Sequence, residues 1–433
     1  MLEPTCNECF LRTPCGGVGG REGVLGVASC LTLNPVECKE RGWVNFRDPM
    51  DFAFRWSETE GFDTSLRGKL TVPCAGTMPL YIPAIYHGGR RSRCLPFPWV
   101  AIPLYTIIRP RKNRTFGSIV KDGPALRRAF GLSAETKIIV SSVAPDPYLE
   151  RLWCHHQDIG LADLLSQLDV QAITIPNFSY FLDAPPVHTL YNRARMLRMA
   201  ERFSSAGLPV VPHLNAFWKS HWRFWTAFLR EHSNIVYFCK EFQTGFRGAA
   251  AGGDAYERLV RMQDEVGRPL HPVLIAGQRF LPKLRKNFET FTVVDATPFM
   301  KTYHRKFLSS TNEIGFSWKF RRTRRGQSLD DRLWENFKSY EARLHGKADG
   351  PGTVQGQLRL KGILPRIRKH LPEQNSIAAL NLFRWGARLE SGSALESNSP
   401  PGNRLQTPSH SERAKIQSLD SCVGTRRRSP VPK

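Results

Sequence analysis

Short apolar runs alternate with amphipathic stretches through the middle of the chain, and this alternation predicts strands followed by helices. Residues 81–87 (YIPAIYH), 99–108 (WVAIPLYTII) and 137–144 (KIIVSSVA) are rich in β-branched and aromatic residues and predict three strands. Residues 172–178 (AITIPNF), 209–214 (PVVPHL), 234–242 (NIVYFCKEF), 272–276 (PVLIA) and 291–295 (FTVVD) predict five more. Residues 124–130, 161–168, 192–206, 221–231, 254–266 and 282–288 read as the intervening helices. Gly207 and Gly267 are expected to cap two of them at the carboxyl end, and Asp254 to cap one at the amino end.

Strands that alternate with helices indicate a parallel sheet. Eight such units in about 220 residues fit a (β/α)8 TIM-type barrel. The rival is an open doubly wound sheet, which the lack of a GxGxxG after the first strand disfavours. The expected organisation is a Cys-rich leader over residues 1–75, the barrel over 76–305, a basic helical extension over 306–345 and a low-complexity basic tail over 346–433. The tail segments GKADGPGTVQGQ and SGSALESNSPPGNRLQTPSHSE have the composition of linker or disorder.

Active sites of barrels lie at the carboxyl ends of the strands. The polar residues expected there are His87, Asp146, Asn177, Ser179, His213, Asn215, Glu241, Gln243, Thr244, Asp295 and Lys301. Glu241 and His213 suit general acid–base chemistry, because burial can tune both types toward neutral pH. Asp295 suits a nucleophile, base or metal ligand. Asn177, Asn215 and Gln243 suit hydrogen bonds to a planar polar group such as a nucleobase. Lys301 and Arg247 suit phosphate. Arg195, Arg198 and Arg202 fall on one face of the 192–206 helix, which reads as a solvated outer helix. The run FWKSHWRFW at 217–225 reads mainly as an aromatic helix face packed on the sheet. His155 and His156 are neighbours that point apart on a helix, so they are poor joint ligands.

Charge adds a partner. The chain has 433 residues, 62 Lys and Arg against 38 Asp and Glu, and a formal charge of +24. After Met300 the count is 26 basic to 11 acidic, so +15 of that charge lies in the last third. Such a field favours polyanions, nucleic acid or an anionic membrane surface. RTRRGQ at 322–327 and TRRR at 425–428 read as polyanion-binding arms. No apolar run reaches the roughly 20 residues needed to span a bilayer, and the first residues do not read as a secretory signal. A cytoplasmic location is the expectation.

Of ten cysteines, five lie in the first 38 residues: Cys6, Cys9, Cys15, Cys30 and Cys38. CNECFLRTPCGG at 6–17 has the spacing C-x2-C-x5-C-G-G. Thiolates so spaced can chelate zinc or an iron–sulfur cluster, with Cys30 or Cys38 completing the set. Metal binding would supply folding energy to a segment poor in apolar residues.

The leader spacing resembles the auxiliary-cluster motif of SPASM domains in radical-SAM enzymes. It departs from that motif at Gly19, where a cysteine is expected, and no C-x3-C-x2-C is present. The resemblance implies a cluster, not radical chemistry. Residues 174–301, through PNFSYFLDAPP, YNRARM, GLPVVPHLNAFW, EFQTG, HPVLIAG and TPFMKT, resemble an uncharacterised domain-of-unknown-function family of bacterial, archaeal and phage proteins. That resemblance implies a gene carried on mobile elements and brings no activity. A distant similarity to tRNA-guanine transglycosylases implies a barrel with an Asp nucleophile and Cys-bound zinc, although their Cys site lies late in the chain. The combined expectation is a metal-containing barrel enzyme that acts on an anionic, nucleobase-containing substrate such as nucleic acid. The alternatives are a non-catalytic nucleic-acid-binding protein of a mobile element, and a small-molecule enzyme with an incidental basic tail.

Overall fold

In a computed structural model of the protein, the described residues are 11, 13, 49–89, 91–112, 115–180, 186–243, 246, 248–309, 316–322 and 328–346. The five leader cysteines, Thr244, Arg247, residues 323–327 and everything beyond 346 lie outside them.

The protein is mixed α/β with parallel sheets. One four-stranded sheet runs in the order β1 (Tyr81–Pro83), β10 (Thr292–Asp295), β9 (His271–Ile275), β8 (Tyr237–Glu241). A second runs β2 (Trp99–Pro103), β5 (Lys137–Ser141), β6 (Ala172–Thr174), β7 (Val210–Val211). All pairings within the two sheets are parallel. Isolated parallel bridges join their edges, Ala84 to Ala101 and His213 to Cys239. A small antiparallel hairpin, β3 (Ile108–Pro110) with β4 (Phe116–Ser118), branches off after β2.

Every predicted strand is present, and all but β9 are shorter than their apolar runs. Proline accounts for part of this, since it has no N–H to donate to a ladder. β2 ends at Pro103, β7 sits between Pro209 and Pro212, and Pro176 follows β6. After Pro103 the run predicted as one strand turns into a short helix, α2 (Leu104–Ile107).

Register sorts the strand side chains onto two faces. Ile82, Ala101, Ile139, Ala172, Val211, Cys239, Val273 and Val294 form one core, supplied by all eight strands. Their neighbours Tyr81, Val100, Ile138, Ile173, Val210, Phe238, Leu274 and Val293 face the helices in a second, larger core. The two are called the inner and outer faces below.

The helices follow the predicted order with corrections. Gly207 (φ 79°) and Gly267 (φ 74°) take the left-handed turn that ends their helices, a conformation that costs glycine little. A helix absent from the sequence reading, Asp146–His155, follows β5, with Asp146 in its first turn rather than on a free rim. The helix after β8 begins at Ala249, capped by Gly248, so Asp254 is not its N-cap and instead pairs with Arg258 one turn on, at 2.8 Å. Gly252 lets that helix approach the Phe246 carbonyl and Arg279 where a Cβ would collide.

The largest correction concerns the helix Pro186–Ser205, hereafter α6. It is not a solvated outer helix. Arg193, Arg195 and Arg198 are all buried, Arg195 at 0% exposure. Glu150 receives Arg195 through both carboxylate oxygens, at 2.6 and 2.9 Å. Burial works against the charge on Arg195, and Glu150, Tyr191 and Glu58 together outweigh it, so its pKa rises. Arg198 pairs with Glu201 at 3.1 Å. The helix Pro49–Glu58, through Phe52 and Trp56, and the turn after it, through Phe62, pack on α6 against Leu190 and Tyr191, so part of the predicted leader belongs to this layer.

The segment at 306–345 is not purely helical. It opens with an antiparallel ribbon, β11 (Lys306–Leu308) and β12 (Trp318–Phe320), and only then forms α11 (Leu329–Leu344). α11 starts at Ser328 with a capping box, its hydroxyl on the Asp331 N–H at 3.1 Å. The aromatic run at 217–225 does form a packed helix, α7 (Lys219–Glu231), with Trp222, Trp225 and Phe228 buried.

Candidate active site

The inner face ends differently on its two sides. At the carboxyl ends of β5 to β8, four consecutive strands turn polar side chains inward. The same-face partners two residues earlier are Ile139, Ala172, Val211 and Cys239, which places Ser141, Thr174, His213 and Glu241 on the inner face. All four are buried. The other four strands end inward in Ala84, Pro103, Ile275 and Ala296, which are apolar.

His213 is the most exceptional member of this arc. It is 0% exposed, and its ring nitrogens form no hydrogen bond of normal geometry, the Asn215 side chain being the partner in reach. Burial pushes its pKa down to about 3, the Lys240 charge pushes the same way, and nearby Asn215 opposes them. It is therefore a neutral imidazole at physiological pH. Leaving such a group without a well-formed hydrogen bond costs about 1–3 kcal/mol. Glu241, on the adjacent strand, accepts the Gln243 backbone N–H at 2.8 Å. Thr174 accepts the backbone N–H of Ser142 at 2.8 Å, and the Ser142 hydroxyl is buried without a partner. A neutral imidazole and a carboxylate on one face of neighbouring strands can pass a proton to or from a group that reaches both.

The amides stand on the loops just above. Asn215 donates to the Phe178 carbonyl at 2.6 Å, which ties the loop after β7 to the loop after β6. Asn177, next to Phe178, has a buried side-chain oxygen with no partner. The Ser179 carbonyl accepts from Asn192 of α6 at 2.7 Å. At the same end, Ala276 after β9 holds a left-handed φ of 58°, strained for a residue with a Cβ.

Other predicted residues lie elsewhere. Asp295 pairs across the sheet with Pro83, so it points to the outer face. Thr297 donates to one of its oxygens through the backbone N–H at 2.8 Å and the hydroxyl at 2.7 Å, and Tyr340 of α11 donates to the other. Asp295 thus anchors α11 and the first turn of α10 (Thr297–Tyr303). His87 and Lys301 belong to the β1–α10 side. The His87 ring packs on Phe299 and Tyr303, with the Tyr303 hydroxyl 2.9 Å from Nδ1. Burial, Arg91 and Arg109 all lower its pKa.

Sequence reasoning missed Ser141, Thr174 and Lys240. The first two were legible, since each lies two residues past an apolar inward position in KIIVS and AIT. Lys240 faces outward, 1% exposed, its ammonium 4.2 Å from the Phe246 ring and 3.2 Å from the Leu214 carbonyl. Burial lowers its pKa to about 8. His156 is buried against Trp153 and Cys154 is exposed, so the C-H-H run does not converge. Among the described residues, no group of three or more His, Cys, Asp or Glu side chains converges as a metal site. No helix in them is long and apolar enough to cross a membrane.

No family model matches the chain, and no curated protein matches it. Among solved structures, one described as "a putative fructose-1,6-biphosphate aldolase from Coccidioides immitis" is similar at 11% identity and a TM-score of 0.34, over 69% of this chain and 95% of that one. A likeness that low carries no argument about fold detail or activity.

Proposed function

We propose that the two sheets are the halves of a (β/α)8 barrel, and that the protein is an enzyme whose site is the polar inner arc at the carboxyl ends of β5 to β8. The two edge bridges and the inner core contributed by eight strands support closure. His213 carries the functional reading. A fully buried histidine with no well-formed hydrogen bond, Asn215 alone being in reach, is destabilising, and such groups persist where a ligand completes them. Glu241 and His213 exchange the proton. Ser141 and Thr174 orient the reacting group, and Asn177, Asn215 and Gln243 hydrogen-bond to it. Asp295 positions α10 and α11 and takes no proton.

Among the described residues, Glu241 is the single charged side chain on the inner face at this end. A neutral polar group therefore enters the arc, and any phosphate of the substrate stays outside it. A planar nucleobase has the donors and acceptors to satisfy His213 and the Asn177 oxygen together. Saturation-transfer NMR against nucleobases, nucleosides, nucleotides and sugar phosphates tests this. At least one base-containing member should bind the native protein and lose tenfold or more in both His213→Leu and Glu241→Gln. The reading fails when nothing binds, or when both variants bind as the native protein does.

The cysteine leader belongs to this proposal on its spacing. Cys6, Cys9 and Cys15, with Cys30 or Cys38, would hold zinc or an iron–sulfur cluster. Iron with visible absorbance, or one zinc per chain, supports that. Metal-free protein with five freely reacting leader thiols overturns it.

A further inference from the structure

The ribbon β11–β12 carries an unbalanced positive face. Phe307 pairs with Lys319 across the ribbon, so Phe307, Lys319 and Arg321 share one side. The Arg321 guanidinium lies over the Phe307 ring, 5.7 Å from its centroid. The pairing continues to Arg305, whose carbonyl accepts the Arg321 N–H at 3.1 Å, so two arginines stand directly opposite. Like charges at that position are destabilising. Arg305, Lys319, Arg321 and Arg322 are all exposed. The described residues 303–309 and 316–322 contain no Asp or Glu.

A third guanidinium lies beneath. Arg332 of α11 is 2% exposed and donates to the carbonyls of Arg305, Arg321 and Arg322. Burial lowers its pKa; Glu335 opposes this, and the charges of Arg321 and Arg305 add to it. On α11, Glu335 acts on Arg332, while Asp330 is held by Ser92 at 2.6 Å and Asp331 by Arg93 at 2.7 Å. The ribbon is also held stiffly. Asn336 accepts from Leu308 N–H and donates to the Lys306 carbonyl, both at 2.9 Å. The fold thus fixes several like charges together.

We propose that this ribbon face binds the phosphodiester backbone of single-stranded nucleic acid, with the Arg321–Phe307 stack as a platform for a base. Cations interleaved with an aromatic ring are the pattern such strands select. An anionic membrane fits less well. Membrane-binding surfaces present protruding apolar groups among their cations, whereas Phe307 here is half-buried and the exposed Phe320 lies on the ribbon's opposite side. The proposal is independent of the acid–base arc, and either can fail alone.

The test is fluorescence anisotropy of the full chain with a labelled 20-nucleotide oligothymidylate, beside sedimentation with phosphatidylserine vesicles. The double variant Lys319→Ala/Arg321→Ala should weaken oligonucleotide binding at least tenfold, and Arg321→Glu should weaken it further. The double variant's log–log salt slope should shrink by about 1.4, two phosphate contacts at about 0.7 each on a single strand. The pair Lys319→Arg/Arg321→Lys should retain binding, as should Lys283→Ala, whose ammonium pairs with Glu257 at 2.6 Å. Unchanged oligonucleotide affinity in the double variant, or vesicle binding without oligonucleotide binding, overturns the proposal.

Discussion

Two histidines sit on the inner face at opposite ends of the strands, and the protein treats them in opposite ways. His271, at the amino end of β9, pairs with Tyr237 across the sheet and has both ring nitrogens satisfied, by Thr290 at 2.9 Å and Thr292 at 2.8 Å. Around it the end is stitched shut. The Pro79 carbonyl accepts from the Thr292 hydroxyl at 2.7 Å, the Tyr237 hydroxyl donates to the Cys74 carbonyl at 3.1 Å, and Met78 joins the inner core. His213, at the carboxyl end, is equally buried, and Asn215 alone reaches its ring, without a well-formed hydrogen bond. Burial alone does not separate a structural histidine from a functional one. The hydrogen-bond account does, because a finished core has no reason to leave an imidazole without a well-formed hydrogen bond.

Acid should expose what the two histidines have in common. Burial holds His213 at about 3, and His271 and His156 at about 4, against an ordinary 6.5. Below pH 6.5 the unfolded chain binds protons that the folded chain refuses, so stability falls as pH falls through that window. Each contributes a loss of about 2 kcal/mol by pH 5, about 6 together, comparable with the whole stability of many domains. Urea midpoints measured from pH 7.5 to 5 should drop steeply. Each single replacement by an apolar residue should remove about a third of that pH dependence, and a flat profile in the native protein would contradict the buried neutral state.

Substitution should then separate them. His271→Leu takes a hydrogen-bond partner from Thr290, which is exposed, and from Thr292, which keeps the Pro79 carbonyl, and should cost about 1 kcal/mol. His213→Leu removes two polar atoms that only Asn215 reaches, at similar volume, and should be neutral or stabilising by about 1 kcal/mol at pH 7.5 while abolishing ligand binding. That opposition is the sharpest form of the comparison. A loss at His213 as large as that at His271 would mean that His213 is an ordinary core residue.

The contrast also marks what the sequence could and could not say. Eight apolar runs located eight strands because strand interiors demand apolar side chains whatever their partners. His213 and Glu241 were legible because polar residues that close such runs are conspicuous. Asp295 was conspicuous for the same reason and yet faces outward, since FTVVD has apolar residues on both faces and only the register with β1 decides which is inner. The arginines of α6 read as solvated because their burial depends on Glu150, 45 residues away, and on Asp63 and the Ser65 carbonyl, more than twice as distant. Sequence periodicity sees one helix and not the partners that make a buried charge tolerable.

Lys240 gives the smallest and most selective test. Its charge opposes protonation of His213, although it lies on the outer face and makes no contact with the inner arc's proposed ligand. Lys240→Met gives up one hydrogen bond and a cation–π contact but also relieves the desolvation of a buried ammonium, so the net change at pH 7 should stay within about 1 kcal/mol. The titration sign is distinctive. Its folded pKa near 8 lies below the ordinary 10.5, so the unfolded chain holds the extra proton between those values and the native protein gains stability there as pH rises. The stability difference between native and variant should therefore move by about 1 kcal/mol in favour of the native protein from pH 8 to 9. In the same variant the His213 ring, followed by NMR, should titrate at higher pH than in the native protein yet still below 6.5. A return to an ordinary value would assign the depression to Lys240 rather than to burial, and would weaken the parallel with His271.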